Sequence, residues 1–149
     1  MQVLAPVAGT VLAMADVPDP VFAGEMVGPG LAIDPLRERL DAVAPVSGRL
    51  VKVHPHAFVV QAPEGKAVLV HLGIDTVQLK GEGFTVHAAE GDDVEAGDLV
   101  VTWDASAVAA GGRSPVCPVV ALDTSSVVVD DAVLVGREVR AAAPLFAIA

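Results

Sequence analysis

Fourteen glycines and eleven prolines cut this 149-residue chain into short apolar runs, and that punctuation limits its folding more than any other feature. Proline removes a backbone donor and glycine weakens a helix interior, so few long helices survive where the two recur. The runs between them are rich in valine, which packs well on a pleated sheet. The sequence therefore predicts short strands joined by turns, the clearest over 10–14, 31–33, 49–53, 58–61, 67–72, 99–103 and 127–129. Their short, fairly even spacing fits a sandwich or barrel. One helical stretch is expected, Ser106 to Ala110, behind an Asp104 cap and ended by Gly111-Gly112.

Hydrophobic residues make up 53% of the chain and aromatics only 3%, which excludes a disordered chain and requires a core of Val, Ala, Leu and Ile. The length suits one unit and no linker divides it, so 1–149 reads as a single domain. Nine Lys and Arg against nineteen Asp and Glu leave a net charge of −10. Such a surface repels phosphate backbones, so nucleic acid and anionic membranes are poor partners and a protein with a basic docking face is a better one. The one cysteine, Cys117, excludes an intramolecular disulfide and a thiolate metal cluster; between Pro115-Val116 and Pro118 it reads as a buried, inert thiol. Met1 to Pro6 lack the basic head and apolar run of a signal peptide, and no apolar stretch approaches the ~20 residues that span a bilayer. A cytoplasmic protein is expected.

The chain also echoes itself. Ala5-Pro6-Val7-Ala8-Gly9-Thr10-Val11 returns as Ala44-Pro45-Val46-Ser47-Gly48-Arg49-Leu50, and Ala23-Gly24-Glu25-Met26-Val27 shares a cadence with Ala96-Gly97-Asp98-Leu99-Val100. Each reads as a turn feeding a strand, which points to a duplicated β architecture.

With no tyrosine and four histidines, the candidates for chemistry are few. In Val68-Leu69-Val70-His71-Leu72-Gly73, strand alternation puts Val68, Val70 and Leu72 on one face and Leu69 and His71 on the other. His56 precedes the neighbouring strand, one short turn upstream, so antiparallel pairing can bring the two imidazoles together. Such a pair has three uses: metal binding, acid–base work, or one ring as nucleophile while the other steadies the transferred group.

The run from His71 to Phe84, His-Leu-Gly-Ile-Asp-Thr-Val-Gln-Leu-Lys-Gly-Glu-Gly-Phe, resembles the active-site signature of the glucose-family EIIA domains of the bacterial sugar phosphotransferase system. Asp16 to Ala23, Val27 to Ile33, Ala44 to Gly48, His56-Ala57-Phe58 and Glu90 to Val94 fit the same family in the same order, so the resemblance runs from about Val3 to Ile148. It implies an all-β fold, a compact antiparallel β-sandwich of the duplicated-hybrid type with little helix. It further implies that His71 accepts a phosphoryl group from phospho-HPr and passes it to a cysteine of the EIIB domain of a glucose, N-acetylglucosamine or β-glucoside permease. Gly73 would fix the second ring nitrogen of His71, and His56 would contact the phosphoryl group. Asp19 and Asp75 would meet cationic residues of the partners, while Val21, Phe22, Val27 and Leu69 form an apolar docking collar. No cofactor or metal is required, although His56 and His71 could take up adventitious zinc. Membrane contact would come through the permease, and a monomer is expected.

One departure concerns His54, which with Pro55 stands where relatives often carry Thr; it is read either as orientation support or as a loop residue. His87 and Trp103 are read as structural. Three rivals fit less well. His54-Pro55-His56 and His71-Leu72-Gly73-Ile74-Asp75 carry the His-x-His and His-x-x-x-Asp patterns of lysostaphin-type zinc endopeptidases, but in the reverse order. A biotinyl or lipoyl carrier would need a hairpin lysine that is absent here. A purely regulatory module would leave both histidines idle.

Overall fold

The computed structural model describes residues 1–129 and 134–149. Along them run the strands β1 (Gln2–Leu4), β2 (Gly9–Ala13), β3 (Gly30–Pro35), β4 (Arg39–Val43), β5 (Gly48–His54), β6 (Ala57–Gln61), β7 (Ala67–His71), β8 (Phe84–Val86), β9 (Asp93–Val94), β10 (Leu99–Asp104), β11 (Cys117–Leu122), β12 (Glu138–Val139) and β13 (Pro144–Ala147). Helices are short: α1 (Pro20–Ala23), α2 (Ala105–Ala110) and the 3-10 turns Met14–Asp16 and Thr76–Leu79. Helix α2 begins at Ala105, one residue before the expected Ser106, behind the expected cap: the Asp104 carboxylate accepts from the Ala107 amide at 3.0 Å. Every strand pairing is antiparallel. The expected β-rich sandwich with little helix is therefore what forms.

A large sheet runs in the order β12-β2-β3-β11-β7-β6-β5-β9, a second as β4-β10-β8, and β1 pairs with β13. The main core joins their inner faces: Val11, Leu50, Phe58, Val68 and Val70 of the large sheet meet Val3, Leu40, Trp103 and Leu145 of the smaller ones. Trp103 is fully buried and stacks on Phe84 at 5.9 Å, though its Nε1–H has no partner among the described residues. Cys117 is buried, donates to the Pro115 carbonyl at 3.3 Å, and has its thiol pushed up to about 12 by burial. It is inert, as expected.

The first echo marks a structural duplication. The Leu4 amide donates to the Pro45 carbonyl and the Val43 amide to the Pro6 carbonyl, both at 2.9 Å, so equivalent positions of the two segments bond reciprocally. Ala5 exchanges bonds with Ala142 and Ala143 as Ala44 does with Gly97 and Asp98, and Val11 binds Gly136 and Arg137 as Leu50 binds Gly91 and Asp92. Strands β1, β2, β3, β12 and β13 thus correspond to β4, β5, β6, β9 and β10. The large sheet reads the same from either edge, with the pair Val70 and Val119 at its centre. Gly9 and Gly48 are equivalent too: a Cβ would lie 2.2 Å from the Asp34 carbonyl oxygen in one and 2.1 Å from that of Gln61 in the other.

Two expectations fail. The structural counterpart of residues 91–100 is 136–145, whereas Ala23 to Val27 is the end of α1 and a loop, not a turn entering a strand directly. The sequence hid this because Asp98 and Leu99 are matched by Ala143 and Pro144. Residues 127–129 form no strand; only Val128 bridges Ala147, and it remains 63% exposed. The run meets the end of β13 at one residue and goes no further along it.

The duplication makes a test of stability. Ala142 occupies φ 70 where its counterpart Gly97 has φ 94, a left-handed region that costs an alanine about 1 kcal/mol relative to glycine. Ala142→Gly is expected to raise the unfolding free energy by about 0.5–1 kcal/mol and Gly97→Ala to lower it by at least as much, read as shifts of the urea midpoint at constant slope. Equal midpoints for Ala142→Gly and the wild type would remove the argument for strain there.

Candidate active site

His71 closes β7 with its ring on the outer face, opposite the fully buried Val68, Val70 and Leu72. The β6–β7 register sets Ala57 across from His71, and the Leu72 amide donates to the His56 carbonyl at 2.7 Å. This brings the two imidazoles to a centroid separation of 5.3 Å, edge to face. The chain then turns at Gly73, which has φ +82, and returns its carbonyl to 2.6 Å from His71 Nδ1. A carbonyl only accepts, so Nδ1 carries the proton and the lone pair lies on Nε2.

Burial lowers the pKa of His71, against the opposing pull of the Gly73 bond and of the Asp19 and Asp75 charges. His56 is lowered as well, first by burial and then by the charges of His71 and His54. Both rings are therefore neutral near pH 7. The His54 ring, at the end of β5, stacks on His56 at 5.7 Å with planes 23° apart, so it packs beside the pair. Phe22 tilts against His71 at 5.2 Å.

Of the expected collar residues, Phe22 is the one that meets a histidine ring directly. Phe22, Val27 and Leu69 pack against a second apolar cluster containing Met14, Val17, Ala32, Ile74, Val116 and Val120, and Val21 stands 44% exposed beside them. The Asp19 carboxylate caps α1, accepting from the amides of Val21 at 2.9 Å and Phe22 at 3.4 Å, which fixes Phe22 against His71. Asp75 is exposed at φ 60 in the turn after Gly73. The sequence reading omitted Met26, 77% exposed in the α1 loop, and Val77, 60% exposed in the turn after Asp75. Exposed apolar residues inside Gly-rich loops were the available signal. His87 belongs to the other sheet, where its Nε2 lies 2.8 Å from Thr102 Oγ1 and that hydroxyl donates to Asp41. Among the described residues no three His, Cys, Asp or Glu groups gather as a metal site.

The chain matches the model of the family described as phosphoenolpyruvate-dependent sugar phosphotransferase system, EIIA 1, over residues 1–127. The chain belongs to this EIIA family. Its relatives include the glucose-specific EIIA component of Halalkalibacterium halodurans, 47% identical over 120 residues that span 79% of this chain and 68% of that protein. The glucose-specific EIICBA component of Streptococcus pneumoniae is 47% identical over 123 residues, 81% of this chain but 15% of that longer protein. Among solved structures, the glucose permease IIA of Mycoplasma capricolum superposes with a TM-score of 0.87 at 36% identity, over 98% of this chain and 94% of that one. The antiparallel fold is thus shared along nearly the whole chain. No described helix is long and apolar enough to cross a membrane.

The lowered histidines give this EIIA a pH signature. Between the folded pKa and the ordinary value of 6.5, the unfolded chain binds more protons, so stability rises with pH across that window. It is complete above about 6.5 and is lost as pH falls through the folded values. His71→Gln is expected to flatten the slope of unfolding free energy below about pH 6.5, measured by urea titration. An unchanged slope would mean that burial of His71 does not govern its ionisation.

Proposed function

We propose that this chain is a phosphohistidine carrier, a phosphotransferase component in which His71 accepts a phosphoryl group from phospho-HPr and donates it to the EIIB domain of a sugar permease. The observation that carries this reading is the 2.6 Å bond from His71 Nδ1 to the Gly73 carbonyl, which leaves the remote Nε2 as the nucleophile beside a second imidazole. In the transfer, the Nε2 lone pair forms the new N–P bond while the P–N bond of the donor breaks and returns its electron pair to the donor ring. The His71 ring then carries extra positive charge, and the Gly73 carbonyl stabilises its Nδ1–H. His56, its ring centroid 5.3 Å from that of His71, would donate a ring N–H to the phosphoryl oxygens, and His54 stacks on the His56 ring. Onward transfer reverses the sequence, with a thiolate of the acceptor as the attacking group.

The collar of Val21, Phe22, Val27 and Leu69 supplies contact area for both partners, with Met26 and Val77 extending it, and Asp19 and Asp75 attract their cationic side chains. That an EIICBA component of Streptococcus pneumoniae and an EIIBCA component of Corynebacterium glutamicum include a region like this chain supports an EIIB acceptor. The carrier would work from the cytoplasmic side as one domain over 1–149 and as a monomer, since the collar serves transient docking. The names of the first relatives favour a glucose-type permease.

The test is incubation with phosphoenolpyruvate, enzyme I and HPr, followed by intact mass before and after mild acid. One acid-labile phosphoryl adduct is expected on the wild type and none on His71→Ala. His56→Gln is expected to accept the group while losing most onward transfer to EIIB, by roughly the hundredfold or more that loss of a transition-state donor brings. An adduct that persists in His71→Ala would overturn the assignment.

A further inference from the structure

The backbone around the Gly73 turn has its polar groups assigned almost completely, and one partner has no role so far. The Leu72 amide donates to the His56 carbonyl at 2.7 Å and the Ile74 amide to the Ser114 carbonyl at 2.8 Å. The Gly73 carbonyl takes His71 Nδ1, and the Gly73 amide faces the buried Cys117 sulfur. The Leu72 carbonyl accepts from Thr76 Oγ1 at 2.7 Å. Thr76, 1% exposed, is the one buried polar side chain among the described residues.

These bonds hold two peptide planes that meet at the Gly73 Cα. The Gly73–Ile74 plane is held by His71 on its oxygen and Ser114 on its N–H. The Leu72–Gly73 plane is held by Thr76 on its oxygen and faces Cys117 with its N–H. A glycine between two planes can rotate either of them, and φ +82 is only one of its permitted conformations. Something outside the glycine must select it. Thr76 does so through its hydroxyl, which ties the Leu72 oxygen; its methyl lies where a Cβ on Gly73 would come within 2.6 Å of Cγ2, which accounts for the glycine itself.

We propose that Thr76 is a positioning residue for the nucleophilic nitrogen of His71. By holding the Leu72–Gly73 peptide it aims the Gly73 carbonyl at Nδ1, which keeps the ring proton there and the lone pair on Nε2. A neutral imidazole without such an acceptor favours its proton on Nε2, the tautomer in which Nε2 has no lone pair to offer phosphorus. Loss of the Thr76 hydroxyl therefore moves the proton onto the reacting atom. The importance of this for turnover rests on the phosphoryl-acceptor reading of His71; the tautomer itself does not.

The experiment reads the ring nitrogens of His71 by 15N NMR in the unphosphorylated protein near pH 8, where the ring is neutral. The wild type and Thr76→Ser, which keeps the hydroxyl, are expected to show the Nδ1–H tautomer. Thr76→Val is expected to shift the tautomer ratio toward Nε2–H by roughly two- to tenfold, the range that one hydrogen bond of ordinary net strength supports. The initial rate of phosphoryl uptake from phospho-HPr should fall by a similar factor, with KM for phospho-HPr unchanged and His87 signals unmoved. Thr76→Ala and Thr76→Cys, the latter with a weak S–H donor, serve the same purpose should the valine variant fail to fold, and Cys is expected between Ser and Ala. A wild-type tautomer in the hydroxyl-free variants, or its loss in Thr76→Ser, would overturn the proposal. Absence of a phosphoryl adduct on the wild type would instead overturn the carrier function and leave the tautomer result standing.

Discussion

The bond between His71 Nδ1 and the Gly73 carbonyl sets what the rest of the site can do. It orients the ring, chooses which nitrogen bears the lone pair, and gives the ring proton a fixed acceptor. Burial and charge then act on the same ring in opposite directions. Desolvation is the larger influence and lowers the His71 pKa, while Gly73, Asp19 and Asp75 favour the cation. On the proposed carrier reading, this balance suits a group that attacks as a neutral ring and becomes cationic once it has reacted. A stronger pair of carboxylates would protonate the ring and silence it, whereas a drier pocket would disfavour the charged product.

The same few elements connect that ring to its surroundings. Asp19 is both the cap of α1 and a charge felt by His71, so the loop that presents Phe22 and the charge beside the ring share one side chain. The β6–β7 register places the His56 carbonyl on the Leu72 amide and the His56 ring beside His71. Disturbing the hairpin end at Pro55 would therefore alter both the turn after His71 and its companion imidazole. His54, stacked on His56, adds a further ring beside the pair.

Much of this was legible in the residues because alternation is a strict rule for strands. Val68, Val70 and Leu72 fixed the face of His71 before any coordinate, and the Asp104 cap and Gly111 located α2. Less was legible where burial depends on a distant partner. β4 carries Arg39 and Asp41 on its outer face and offers too few apolar residues to declare itself. β11 contains Pro118, tolerated because pairing with β7 begins only at Val119. Thr76 looks in sequence like any turn threonine; only the folded chain shows its hydroxyl buried on the Leu72 carbonyl. Stacking of His54 likewise depends on rotamers that spacing does not encode.

The duplication also separates two tasks that one loop would serve poorly. The hairpins β2–β3 and β5–β6 are equivalent, yet β5–β6 closes through only Pro55 and His56 between its strands while β2–β3 opens into residues 14–29. The short tip holds an imidazole at a fixed distance from His71, and the long one carries Asp19, Val21, Phe22 and Val27. Each tip hangs from its own copy of the same strand frame, so the long one can vary in length and shape without shifting the register that seats His56. The end that seats His56 and the end that carries Asp19 and Phe22 thereby belong to different copies of one repeated unit, so a change in one leaves the frame of the other in place.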